Sequence, residues 1–289
     1  MSGRGEAQAA VPQAHVTIIV ITHSVRPELE RCLGSIQRHA GVRVETILID
    51  NASTDDTIDW ARMEHPEVTI VELPRNLGEA ARDHGLRRST TRYTMFLDSD
   101  AALTPGALPA MVGALNEHRT WGLIGPRLVY DDGSLQHSCR RFPPIALPLL
   151  RRPPLGRFFE TRATVGRHLM KDFDHDRARP VLYLISACHL FRTELARQAG
   201  PFNPRVPSGW AIGWADADWC IRLRDAGGEI VFFPDATVIH SYRRATTRRP
   251  VSGAALRQLR YFVEFQWKYR HRRHELIALA DELDRISSA

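Results

Sequence analysis

The run Val16-Thr-Ile-Ile-Val-Ile-Thr22 is β-branched and apolar, with no polar face. A strand of that kind is buried on both sides, as strands are in parallel sheets covered by helices. The chain then keeps a strand–helix rhythm. Pro27 opens a helix with Leu29, Leu33 and Ile36 on one face. Val44 to Asp50 reads as a second strand. Ser53-Thr-Asp-Asp56 has the spacing of a capping box, with Asp in place of Glu, ahead of a second helix. Val68 to Leu73 and Tyr93 to Leu97 read as strands, with a helix over Gly78 to Arg88 between them. Pro105 to His118 carries Leu108, Met111, Val112 and Leu115 at helical spacing. This alternation predicts an α/β fold with a Rossmann-like, doubly wound, mostly parallel sheet flanked by helices.

Ligands of such sheets sit beyond the carboxyl ends of the strands. Three predicted ends carry polar residues: Thr22-His23, Asp50-Asn51 and Asp98-Ser99-Asp100. They point to one shared site. No GxGxxG follows a strand and no GxxxxGK[ST] occurs, which excludes the dinucleotide fingerprint and the P-loop.

The second half is less regular. Residues 142–180 are rich in Pro and Arg and predict a loop or mobile excursion. Val181 to Arg192 reads as one strand, and Asp216 to Ala226 as a helix stopped by Gly227-Gly228. Glu229 to Phe233 and Thr237 to His240 read as two short strands. From Ser252 onward the pattern is helical. A basic, aromatic stretch (Tyr261, Phe262, Phe265, Trp267, Tyr269) is followed by an amphipathic end with Leu276, Leu279, Leu283 and Ile286. The expected domains are a disordered tail at 1–14, one catalytic-size domain at 15–245 and a helical extension at 246–289. The large domain divides into halves at 15–120 and 121–245.

No segment approaches the roughly 18 apolar residues of a membrane span. Cys32, Cys139, Cys188 and Cys220 are scattered, with no CxxC pair, which argues against zinc or a disulfide framework and fits a reducing cytoplasm. The net charge is +6, and it is concentrated. Arg243 to Arg273 holds ten basic residues and one acid, and Arg140 to Lys171 holds eight and one acid. Such clusters suit an anionic partner or form a solvated basic face.

Two carboxylates flanking one residue at a strand end can share a divalent cation with a diphosphate. Mg²⁺ and Mn²⁺ favour oxygen ligands and often take one or two carboxylates plus phosphate oxygens. Asp98 and Asp100 meet that need, and Tyr93-Thr-Met-Phe-Leu97 directly before them puts them where an α/β sheet binds ligands.

An ordered set of segments resembles the family-2 glycosyltransferases of the GT-A fold, in particular their rhamnosyltransferase-like bacterial branch. The segments are Val16–Thr22, Ile49–Thr57, Asn76–Gly78, Phe96–Asp100 with Leu103–Leu108, Gly125–Arg127 with Asp132–His137, Ser186-Ala187, Asp216–Asp218 and Pro234–His240. The resemblance spans about residues 15–245. It implies an inverting transferase that moves a sugar from a nucleotide-diphosphate donor, such as a dTDP-deoxysugar or a UDP-sugar, to a glycan or polyprenyl-linked acceptor of the cell envelope.

The resemblance also implies roles, with nucleotide binding in the half at 15–120 and acceptor binding in the half at 121–245. Thr22 and Asp50 hold the donor's base, and Asn76 and Gly78 form a turn near the nucleotide. Asp98 faces the ribose and diphosphate, while Asp100 and His240 hold Mg²⁺ or Mn²⁺. Read alone, Asn51 and Ser53 serve equally as helix caps, Gly78 as a positive-φ position, and His240 as a structural histidine. The family carries Glu-Asp-x-Asp at a helix start, its first Asp the base that removes the acceptor proton. Here the segment is Ala215-Asp216-Ala217-Asp218, so Asp216 matches the base and the preceding acid is missing. A helix N-terminus is expected to lower the pKa of Asp216. Trp210, Trp214 and Asp218 are candidate acceptor contacts. The tryptophans stack on a sugar ring or fill the core, and Asp218 alternatively serves the helix start.

A sugar-phosphate nucleotidyltransferase shares such a site, but its Gly-rich stretch and Lys near the chain start do not occur between Val16 and Leu33. Ala215 also permits a catalytically degenerate scaffold that binds sugar nucleotides. The basic, aromatic segment predicts a peripheral contact with the anionic inner leaflet of the plasma membrane. No nucleic-acid reading motif is present.

Overall fold

The structure, a computed structural model, describes residues 16–150, 163–202, 214–241 and 253–286. The predicted tail at 1–14 and Trp210 lie outside the described residues. The strands are β1 Val16–Thr22, β2 Val44–Asp50, β3 Thr69–Glu72, β4 Tyr93–Asp98, β5 Ala101–Leu103, β6 Trp121–Val129, β7 Leu135–Gln136, β8 Cys139–Arg140, β9 Arg179–Pro180, β10 Tyr183–Leu184, β11 Cys188–Arg192 and β12 Glu229–His240. The helices are α1 Arg26–His39, α2 Thr57–Glu64, α3 Arg82–Leu86, α4 Ala107–Glu117, α5 Leu147–Leu150, α6 Ala163–His168, α7 Thr193–Ala199, α8 Ala215–Asp225, α9 Gly253–Lys268 and α10 Arg273–Ile286. A 3₁₀ turn over Gly78–Ala81 leads into α3.

The main sheet has the order β3-β2-β1-β4-β11-β6-β12-β5, with β7 on β6 and β9 on β12. Strands β3, β2, β1 and β4 are mutually parallel, β11 is reversed between β4 and β6, and β5 is reversed at the edge. The chain winds outward from β1 to β3 and then returns to add β4 on the other side. The crevice at such a reversal, beyond the strand ends, is where doubly wound sheets bind ligands.

β1 explains why its sequence shows no alternation. Val16, Ile18 and Val20 enter one apolar cluster with Leu29 and Leu33 of α1 and Leu108 and Met111 of α4. Ile19 enters the opposite cluster with Phe96, Phe191 and Trp219. Successive side chains point to opposite faces, and both faces are covered. Each fully buried Ile or Leu contributes roughly 1.5–3 kcal/mol.

Several local expectations change. No side chain caps α2 at Asp56. The Ser53 hydroxyl instead accepts a hydrogen bond from Ser24 N at 2.9 Å, which ties together the loops after β1 and β2. The predicted strand over 181–192 is broken. Leu184 pairs with Cys139 of β8, Cys188 pairs with Leu97 of β4, and Ile185 to Ala187 cross between the partners. The two short strands predicted at 229–240 are one strand with a register shift, Phe233 facing Pro126 and Thr237 facing Arg127. Pro234 has no N–H to give the ladder, so a bulge there costs no hydrogen bond. The Pro- and Arg-rich excursion contains α5 and α6.

The C-terminal helices pack on the domain. Tyr261, Phe262, Phe265 and Tyr269 are all buried, and only Trp267 of the aromatic stretch faces solvent, 67% exposed. The membrane expectation rested on all five, and the helical period spends four of them on the core. Arg141 and Arg179 both donate to Asp284 of α10, at 2.5 and 2.9 Å, and Arg167 donates to Asp281 at 2.6 Å. Part of the basic cluster at 140–171 is thus neutralised within the chain. No helix among the described residues is long and apolar enough to cross a membrane.

Candidate active site

Parallel pairing brings the polar strand ends together. Thr22 lies opposite Asp50, and Ile21 lies opposite Asp98. Asp50 is buried, and its Oδ1 accepts a hydrogen bond from Ser53 N at 2.9 Å. The Thr22 hydroxyl is buried with no hydrogen-bond partner. An unpaired buried hydroxyl costs stability, so its retention at a strand end marks a position for a ligand. Ser24 and Ala52 flank this slot at φ values of 52° and 64°. Non-glycine residues in that region carry strain, which concentrates at functional loops.

Asn51 acts at longer range than a cap. Its side-chain oxygen accepts from Leu77 N at 2.7 Å, and its amide donates to Gly78 O at 3.1 Å. Asn76 Oδ1 accepts from Gly78 N at 2.8 Å, and Gly78 itself sits at φ 58°. Asn76 and Gly78 therefore form a fixed turn beside the end of β2.

The acidic triplet spans a sharp change of direction. β4 ends on Asp98, β5 starts at Ala101, and β5 pairs antiparallel with β12 so that His240 lies opposite Ala101. That pairing sets His240 Nε2 3.2 Å from Asp100 Oδ1 and 4.0 Å from Asp98 Oδ2. The other ring nitrogen, Nδ1, lies 2.6 Å from Gln136 Oε1 on β7. The Gln136 oxygen can only accept, so Nδ1 donates to it. Burial alone lowers the pKa of the ring, but Asp100 and Asp98 outweigh it and raise it, so Nε2 faces them with a proton that a divalent cation would displace. One ligand atom from each of Asp98, Asp100 and His240 lies within 4.8 Å of the others. Two carboxylates and an oriented imidazole fit a divalent cation with positions left for diphosphate oxygens.

Arg82, outside every segment that carried the resemblance, joins this cluster to Asp216. It is buried beside the rings of Phe96 and Phe202, at 5.2 and 4.9 Å. It donates to Asp98 Oδ1 at 2.5 Å, to the Ser186 hydroxyl at 2.6 Å and to Ser186 O at 3.2 Å. Burial alone depresses an arginine, but Asp98, Glu79 and Asp216 outweigh it and hold Arg82 charged. Ser186 in turn hydrogen-bonds Asp216 at the start of α8. Ser186 occupies the crossing where the predicted strand breaks.

Asp216 departs from its expected electrostatics. Burial raises its pKa above the ordinary value, against the lowering effects of Arg82 and of the hydrogen bonds from Ser186. Desolvation outweighs the helix terminus here. Asp216 Oδ1 is buried without a partner. Burial also raises Asp98, whose partner Arg82 opposes the shift.

The expected acceptor contacts divide differently. Trp214 stacks near Phe265 and Phe262, at centroid distances of 5.6 and 5.1 Å, and so serves packing against α9. Asp218 is buried and fully engaged elsewhere. It accepts from Arg222 Nε at 2.9 Å, from Tyr269 OH at 2.9 Å and from Lys268. These bonds anchor α9 to α8.

Residues 17–199 match the family described as Glycosyl transferase family 2. The chain is 28% identical over 251 residues to an N-acetylglucosaminyl-diphospho-decaprenol L-rhamnosyltransferase of Mycobacterium tuberculosis, across 82% of this chain and 80% of that protein. A mannosyltransferase from Pyrobaculum calidifontis, solved with GDP-Man and Mn²⁺, superimposes with a TM-score of 0.60 at 21% identity, covering 92% of this chain and 68% of that one. GalNAc-T7, solved with UDP, GalNAc and Mn²⁺, gives a TM-score of 0.61 at 16% identity, covering 88% and 49%. These likenesses identify the fold as GT-A.

Proposed function

Since the chain belongs to glycosyl transferase family 2, we propose that it is a metal-dependent, inverting hexosyltransferase that glycosylates a hydroxyl of a lipid-linked glycan. The observation that carries this reading is the bridge from the Asp98–Asp100–His240 cluster through Arg82 and Ser186 to the buried Asp216. It links a cluster suited to a cation and diphosphate with a buried carboxylate suited to accept a proton, which supports the reading.

In this reading Thr22 and Asp50 hold the donor's base, and the turn at Asn76 and Gly78 backs the nucleotide. Asp100 and His240 would hold a divalent cation, which would supply positive charge against the departing diphosphate. The imidazole in that set would favour Mn²⁺ over Mg²⁺, which prefers oxygen alone. Asp98, oriented by Arg82, would face the ribose and diphosphate. Asp216 takes the proton from the acceptor hydroxyl as its oxygen bonds to the anomeric carbon. The bond from that carbon to the β-phosphate oxygen breaks on the opposite face, so the configuration inverts and a nucleoside diphosphate leaves. A carboxylate whose pKa burial has raised is a stronger base than an exposed one.

The rhamnosyltransferase relative supports a dTDP-deoxysugar donor and a polyprenyl-diphosphate-linked acceptor. Such acceptors are built at the inner face of the plasma membrane, where Trp267 and Val263, exposed on α9, supply an apolar edge for peripheral binding. The deciding experiment supplies dTDP-, UDP- and GDP-sugars with Mn²⁺ and a short-chain N-acetylglucosaminyl diphosphate lipid. Release of a nucleoside diphosphate with a product of inverted anomeric configuration is expected. Pyrophosphate release would mark a nucleotidyltransferase, and binding without turnover a scaffold.

A further inference from the structure

Glu79 has entered so far only as a charge beside Arg82. It sits in the 3₁₀ turn directly after Gly78 and three residues before Arg82. Residues three apart in such a turn share a side, so Glu79 lies on the side of Arg82. Glu79 Oε2 is buried and has no hydrogen-bond partner, and the same is true of Asp216 Oδ1 on α8. The Arg82 hydrogen bonds go to Asp98 and Ser186. Glu79 is raised well above its ordinary pKa, first by burial and next by Asp216, which acts on it more strongly than Arg82 or Asp98 does. Two neighbouring acids from different elements thus each keep a buried oxygen unused.

That arrangement costs stability and gives nothing back in the free protein. Buried carboxyl oxygens of this kind are satisfied by a ligand that brings donors. A sugar brings hydroxyl groups on adjacent carbons, spaced for two neighbouring acceptors. The helix of Asp216 brings no second acid on its leading side, where Ala215 stands.

We propose that Glu79 is an acceptor-binding residue. It takes a hydrogen bond from the sugar hydroxyl beside the one that Asp216 deprotonates, so the enzyme selects acceptors with two neighbouring hydroxyls. The proposal rests on the glycosyltransferase reading above.

The test compares wild type, Glu79→Leu and Glu79→Asp on the N-acetylglucosaminyl diphosphate lipid and on analogues deoxygenated at single ring hydroxyls. Glu79→Leu removes the acceptor oxygens and is expected to raise the acceptor KM by about ten-fold, the worth of one buried hydrogen bond. The donor KM and the thermal stabilisation by nucleoside diphosphate with Mn²⁺ should not change, and the free variant should melt no lower than wild type. Glu79→Asp should recover part of the loss. One deoxy analogue should be poor for wild type yet lose little further with Glu79→Leu, since both changes remove the same bond. An unchanged acceptor KM, or additive losses on every analogue, overturns the proposal and leaves the transferase reading intact. A lower melting temperature together with lost nucleotide binding also overturns it, making Glu79 structural. A wild type that transfers no sugar overturns both.

Discussion

His240 Nε2 lies 3.2 Å from Asp100 Oδ1 because β12 runs antiparallel to β5 with His240 facing Ala101. The strand pairing brings the imidazole to the acidic triplet, and the hydrogen bond from Nδ1 to Gln136 turns Nε2 inward.

Gln136 is therefore a support of the metal site. Gln136→Leu should weaken Mn²⁺ binding by about ten- to a hundred-fold while leaving the ligand residues intact. Isothermal titration of the protein with Mn²⁺ in the presence of a nucleoside diphosphate measures this. Asp100→Asn should remove the metal dependence of nucleotide-induced thermal stabilisation altogether. Persistence of that dependence would place the cation elsewhere.

Arg82 holds two elements of the site at once. Removing one partner of a fully buried ion pair costs roughly 3–5 kcal/mol, and because the Asp98 side chain is 35% exposed the loss here should be about 1–3 kcal/mol. Arg82→Met should lower stability by that order in denaturant unfolding, because Asp98 loses its partner. Arg82→Lys should be milder in stability yet still slow transfer, since one ammonium cannot span Asp98 and both Ser186 oxygens.

Asp216→Asn should bind donor normally and lose transfer by about 10²- to 10⁴-fold. The pH dependence has a definite sign. A base acts only when deprotonated, and burial raises the pKa of Asp216. The acid limb of kcat/KM should therefore fall at a pH above that of an exposed aspartate. A limb at the ordinary carboxylate range would mean that another group is the base.

Trp267 is the exposed aromatic of α9, with the Arg270 guanidinium 4.1 Å from its ring centroid. If this edge meets a membrane, Trp267→Ala should reduce flotation with vesicles containing anionic lipid by roughly ten-fold, from about 1.5 kcal/mol of lost burial. Equal flotation of both proteins, or none by either, would exclude the contact.

The fold of the N-terminal half was legible because its signals are local. Val16–Thr22 announces a doubly covered strand, and Thr22, Asp50 and Asp98 end their strands on polar residues. Register then does the rest, since parallel neighbours bring those ends to one level. Arg82 and Glu79 were not legible. A basic and an acidic residue in a short polar helix look like a solvated face, and only the crossing at Ser186 shows what they meet. The strand break at 185–187 was hidden in a continuous apolar run, because the exchange of partners is set by β8 and β4 and not by local propensity. The C-terminal aromatics had a readable signal. Tyr261, Phe265 and Tyr269 recur every four residues, the period of one buried helix face.

The long strand β12 has a consequence for biogenesis. Synthesis runs from the N-terminus, and β1, β2 and β4, with Thr22, Asp50 and Asp98, can assemble as soon as that stretch clears the ribosome. The imidazole arrives last, on the strand that inserts between β6 and β5. A nascent chain therefore passes through a stage that holds Thr22, Asp50 and Asp98 together but lacks His240. Closure of the Asp98–Asp100–His240 cluster then reports that the final strand has entered the sheet.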